Sequence, residues 1–104
     1  MGLADVCGRL SLITFQKSTV EFEMNKISEQ RTQLAQQSQM MSQNPMLQQN
    51  PEMKEQQDAQ FNNLDKQLEQ ALKQKETQYK IYDAELQSIE KMRENNVKNF
   101  AAKI

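Results

Sequence analysis

The sequence predicts an all-α protein: an antiparallel two-helix coiled-coil hairpin with a proline-bounded turn. Three observations lead there. Apolar residues recur every seven positions on both sides of the chain's middle, the only two prolines stand six residues apart between those runs, and glycine occurs only twice. A seven-residue apolar repeat is the pattern of one helix laid along another. Scarce glycine and proline with abundant Gln, Glu, Lys and Leu favour long helices over a turn-rich β fold.

The first element is read from the chain's start. Val6, Ile13, Val20, Ile27, Leu34 and Met41 follow one another at intervals of seven, and Leu3, Leu10, Lys17, Met24, Arg31 and Ser38 lie three residues before each. A strand would alternate by two instead. The spacing predicts a helix over 3–43. A rival reading breaks it near residue 17, because Ser18 to Glu21 ("STVE") matches a capping box and Gly8 weakens the first turns. The heptad crosses that region without losing phase, which favours one unbroken helix.

The turn is the stretch "SQNPMLQQNPEM". A residue before proline is pushed away from helical dihedrals, so Asn44 ends the first helix. Asn50 is a good N-cap, Pro51 suits the first helical position, and Glu52 suits the positive end of a helix. Residues 44–50 are then a connector of ordinary length for antiparallel helices.

The second helix is predicted over 51–102. Phe61, Leu68, Lys75, Tyr82 and Ile89 form one row, and Asp65, Leu72, Tyr79, Leu86, Arg93 and Phe100 the other. Near Asn96 the repeat slips, and Val97 with Ile104 is expected to take over the stripe. Glu69 with Lys73, Glu76 with Lys80 and Glu94 with Lys98 are favourable pairs on a solvated outer face. The hairpin seam is therefore assigned to Val6, Ile13, Val20, Ile27 and Leu34 against Leu68, Leu72, Tyr79, Tyr82, Leu86 and Ile89. The whole chain, 1–104, is expected to be a single helical hairpin.

Four basic residues stand in that seam where leucine would pack better. With a turn centred near Gln48, Arg93 is expected opposite Asp5, Lys75 opposite Glu23, and Arg31 opposite Asp65. Lys17 is expected near Glu85 or Asp83. Polar seam residues fix register at some cost in stability, whereas long basic chains can also simply snorkel to water. Register-setting is the favoured reading.

Composition excludes several function classes. Thirteen basic and fourteen acidic residues are interspersed to a net charge of −1, so no basic stripe is present for phosphates and no nucleic-acid partner is expected. With no histidine and one cysteine, neither a metal site nor an internal disulfide is expected. Cys7 lies in an apolar-periodic run and is read as quietly buried. A two-helix hairpin offers no concave pocket with converging polar groups, so no catalytic residue, enzyme activity or cofactor is expected. No run approaches the ~18 apolar residues of a membrane span, and the N-terminus lacks the apolar core of a cleaved signal. The expected location is the cytoplasm, or outside the cell after export without a cleaved signal peptide.

What remains is an interaction surface. Leu12, Phe15 and Phe22 fall outside the seam on one stripe of the first helix with Thr19. Val97, Phe100 and Ile104 belong to the same end of the hairpin, whereas the turn end reads as Gln-rich and polar. Such a row of apolar residues outside the seam suggests a protein partner, either a second copy or another helix, and an oligomer. A competing reading rotates the first helix and buries the row inside the hairpin.

The turn "NPMLQQNP" and the C-terminal "NNVKNFAAKI" resemble the needle subunits of type III secretion systems, and flagellin-like export subunits look broadly similar. The resemblance implies a non-enzymatic, self-assembling helical subunit of a secretion or flagellar-type apparatus. The alternative is a coiled-coil adaptor or chaperone, like the hairpin stalk proteins that accompany export ATPases. A membrane-surface helix using Leu3, Val6, Leu10 and Leu12 is opposed by Asp5 and by a single Arg9 in place of a Lys-rich face.

Overall fold

With no proline before residue 45, nothing forces the early chain out of helical hydrogen bonding, and α1 runs unbroken from Leu3 to Ser42. The ladder opens with the Val6 amide donating to the Gly2 carbonyl at 3.1 Å. The capping-box signal at Ser18 starts no new helix, because the apolar repeat holds the same face inward on both sides of it. These features come from a computed structural model that describes residues 2–102.

The first proline ends α1 through its neighbour. Asn44 has φ −68° and ψ 123°, an extended conformation outside the helical region. Its side chain is then free to cap the next helical turn. Asn44 Oδ1 accepts from the Met46 amide at 3.1 Å and opens α2, a single turn over Pro45–Gln48. The turn expected as a plain connector thus contains a helical turn of its own. Leu47 is only 6% exposed, a buried apolar anchor at the tip. Asn50 repeats the device: its Oδ1 accepts from the Met53 amide at 3.3 Å and its carbonyl from the Lys54 amide at 3.1 Å. From that cap α3 runs Pro51–Ala102.

Helices α1 and α3 pack against each other across the short proline-rich turn, and no strand occurs among the described residues. The fold is a helical hairpin. Its packing divides into two compact units, one of residues up to Phe22 with those from Lys75 onward, the other spanning Glu23–Gln74.

In the first unit the core is a cluster of Val6, Ile13 and Ile89, with Leu10, Tyr82 and Leu86 packed against it. Val6 is fully buried, and Ile13, Val20 and Ile89 are within a few per cent of it. These are successive members of the seven-residue rows, so the inward face is the one that the spacing implies. Tyr79 is half-buried beside them. In the second unit Ile27, Leu34, Phe61, Leu68 and Leu72 are half-buried, and Leu47 closes the tip.

Beyond Ile89 the observed register differs from the expected slip. Asn96, seven residues after Ile89, is half-buried, whereas Val97 is 50% exposed. α3 continues through this stretch without interruption, and facing is set by helix geometry whatever the residue's apolarity. Turning Val97 inward would take a rotation of about 100° per residue step. Ile104, the other residue expected on that stripe, lies outside the described residues.

Candidate interaction surface

The stripe that puts Val6, Ile13 and Val20 inward puts the residues halfway round the helix outward. Leu12 is 56% exposed, Phe15 70% and Phe22 60%. The row therefore lies outside the core of its unit, and the reading in which α1 rotates to bury it is excluded. Thr19 lies within the row and turns its hydroxyl back onto the helix, donating to the Phe15 carbonyl at 3.0 Å. Thr14 does the same to the Leu10 carbonyl at 2.7 Å. Both hydroxyls are satisfied locally, which leaves the row's character apolar.

Phe100 in the same unit is 67% exposed, so the expected C-terminal candidates Val97 and Phe100 both face water. Leu3, expected in the seam, is 45% exposed, and Ile81 and Met92 of the same unit are 52% and 42% exposed. Apolar residues that fall outside the seam of α3, sought by the same spacing that singles out Leu12 and Phe15 on α1, would have included Ile81 and Met92. Cys7 is exposed, which corrects the expectation of burial. It follows Val6, the innermost residue of the helix, and one helical step of about 100° carries it off the seam.

The seam of the first unit also carries charge. Lys17 Nζ donates to Asp83 Oδ1 at 2.7 Å and sits 5.1 Å from the centre of the Tyr79 ring. Of the two carboxylates expected for Lys17, Asp83 is the partner. The hydrogen bond to Asp83 raises the Lys17 pKa above the ordinary lysine value, partial desolvation opposes it, and the Asp83 charge reinforces it. The pairing expected between Arg93 and Asp5 is not made among the described residues.

In the second unit Arg31 donates from Nε and Nη2 to the two oxygens of Asp65 at 2.9 and 3.2 Å. That two-point bond lowers the Asp65 pKa below the usual carboxylate range and raises that of Arg31. Beside it runs an open groove lined by Ser28, Thr32, Ser38, Phe61 and Asn62. The Arg31–Asp65 pair also lines it, and the Thr32 hydroxyl donates to the Ser28 carbonyl at 3.0 Å.

The tip is less polar than its glutamines suggested. Met40, Met46 and Met53 are 73%, 76% and 55% exposed, and the Met41 sulfur accepts from Gln57 Nε2 at 3.0 Å. Among the described residues, no group of three His, Cys, Asp or Glu side chains is placed to hold a metal ion. No described helix is long and apolar enough to cross a membrane. No protein-family model, curated protein or solved structure matches the chain.

Proposed function

We propose that this chain is a non-enzymatic protein–protein interaction module, and that Leu12, Phe15 and Phe22 dock a second copy or a partner helix. One observation carries the reading. On the same helix whose inner residues Val6, Ile13 and Val20 are at most 6% exposed, two phenylalanines and a leucine stand at least 56% exposed. Burying one such side chain is worth about 1.5–3 kcal/mol, so a surface that covers the row gains substantially from it. The segment "LSLITFQ" around Leu12 and Phe15 carries no charge that a docking partner would have to desolvate, whereas Phe22 stands between Glu21 and Glu23.

The setting in which this docking operates is a helical subunit of a secretion or flagellar-type apparatus, the reading supported by the Asn-Pro-bounded turn. The runner-up is a coiled-coil adaptor or chaperone that receives a partner helix along the same row. Electron microscopy of the concentrated protein separates them, since only the subunit forms filaments unaided.

The test of the docking row is the pair Phe15→Ser and Phe22→Ser together. Sedimentation is expected to show loss of self-association or of partner capture, with helicity retained by circular dichroism. A natural protein that sediments as one chain and captures no helical partner, with a variant that merely melts earlier, would refute the interface.

A further inference from the structure

We propose that the tip of the hairpin binds a soft monovalent cation, of the class of copper(I) and silver(I), through the thioether sulfurs of Met41, Met46 and Met53. Four of the seven methionines fall within residues 40–53, and Leu47 is the only other large apolar side chain of that stretch. The outer row of α1 is built from Leu and Phe instead. Leucine gives up less side-chain freedom on burial than methionine does. What methionine alone brings to an exposed tip is a polarisable sulfur lone pair.

The two asparagine caps tie these three residues together. The Asn44 amide donates to the Met41 carbonyl at 3.1 Å, and its side chain accepts from the Met46 amide at 3.1 Å. The Asn50 amide donates to the Leu47 carbonyl at 3.2 Å, and its side chain accepts from the Met53 amide at 3.3 Å. The end of α1, the single turn α2 and the start of α3 are thereby joined at the methionines. Met41 already reaches across to α3, where its sulfur accepts from Gln57 Nε2 at 3.0 Å. Met53 lies four residues before Gln57 and is its neighbour on the same helix face. A cation at the Met41 sulfur displaces that one weak hydrogen bond, and the Gln57 amide turns to water. Met46 and Met53 are 76% and 55% exposed, so their unbranched side chains are free to swing onto the ion.

The donor set selects the ion. Thioethers are soft and uncharged and suit copper(I), whereas magnesium, calcium and manganese take oxygen ligands. Residues 32–53 contain no Lys or Arg to repel a cation, and Glu52 is their one carboxylate. A thioether has no proton to lose, so such a site keeps its affinity on mild acidification, unlike one built from thiolate, imidazole or carboxylate.

Silver(I), added as the nitrate, is the probe. It is titrated into the full chain carrying Cys7→Ser, which removes the competing thiol, and followed by native mass spectrometry and by NMR of carbon-13-labelled methionine methyls. One silver ion per chain is expected, with the Met41, Met46 and Met53 methyls shifting together before those of Met24 and Met92. The midpoint is expected to stay put from neutral to mildly acidic pH. Met41→Leu, Met46→Leu and Met53→Leu are each expected to weaken binding several-fold with helicity kept, and Met92→Leu to leave it unchanged. No uptake overturns the proposal, as does a Met92 methyl that shifts along with the tip. Affinity lost on acidification assigns the ion to Glu52 and also overturns it. So does a tip leucine variant that binds as before. Where a variant loses helicity, the titration of the unsubstituted tip decides by itself.

Discussion

Arg31 grips Asp65 from the facing helix with two nitrogens, Nε at 2.9 Å and Nη2 at 3.2 Å, and this fork fixes the stagger of α1 against α3 in its unit. The bond holds the Asp65 pKa below its ordinary value. A carboxylate lowered on folding adds stability above its unfolded pKa, and that contribution disappears as pH falls through the folded one. The natural protein is therefore expected to outlast Asp65→Asn in urea at neutral pH and to lose that lead on acidification below the usual carboxylate range. Urea melts across a pH series provide the comparison. A lead independent of pH would detach the effect from ionisation.

Lys17 gives the opposite profile. Its pKa is raised, first by the hydrogen bond to Asp83. A raised cation contributes stability below the ordinary lysine range and loses it as pH climbs through the folded value. Lys17→Met is expected to lower the melting temperature at neutral pH and to converge with the natural protein in strong alkali. Thermal melts in buffers on either side of the lysine range check it.

Core and row residues should respond differently to truncation. Ile13 is 6% exposed and Phe15 70% exposed, two positions apart on the same helix. Ile13→Ala is expected to cost about 2 kcal/mol or more, as for a buried aliphatic. Phe15→Ala is expected to stay within about 0.5 kcal/mol in the isolated chain. Denaturant unfolding of the two variants measures both. Equal losses would place Phe15 in the core.

The start of α3 depends on one side chain. Asn50→Ala leaves the Met53 amide without its acceptor and is expected to cost about 0.5–2 kcal/mol, with Asn50→Asp largely neutral. Amide exchange at Met53 should quicken in the alanine variant and stay slow in the aspartate one.

The seam was legible because its signal accumulates. Six successive residues from Val6 to Met41 keep one interval, and five of them are buried or half-buried. The turn's position alone gave Asp65 as the partner of Arg31 and narrowed that of Lys17 to Glu85 or Asp83. Leu47 was not legible as a buried residue, since a helix of four residues is too short to show a period. Val97 was not legible, since an apolar residue at the end of a continuous helix need not lie on the phase of the rows before it. The outer row was legible as a face. Periodicity assigns residues to faces, while the chemistry of a partner lies in side chains on another surface.

The two tyrosines give this hairpin a built-in optical reporter. Tyr79 and Tyr82 are the only tyrosines, tryptophan is absent, and both rings are half-buried in the unit that contains the Val6 cluster. Tyrosine emission is then not masked by energy transfer to indole, and the Lys17 ammonium near the Tyr79 ring provides an environment that exists only while the helices are paired. Fluorescence therefore reads separation of the helices where the termini lie and is silent about the half that holds the tip. Followed alongside circular dichroism, which weighs every helical residue alike, it shows whether the two halves open together or one before the other.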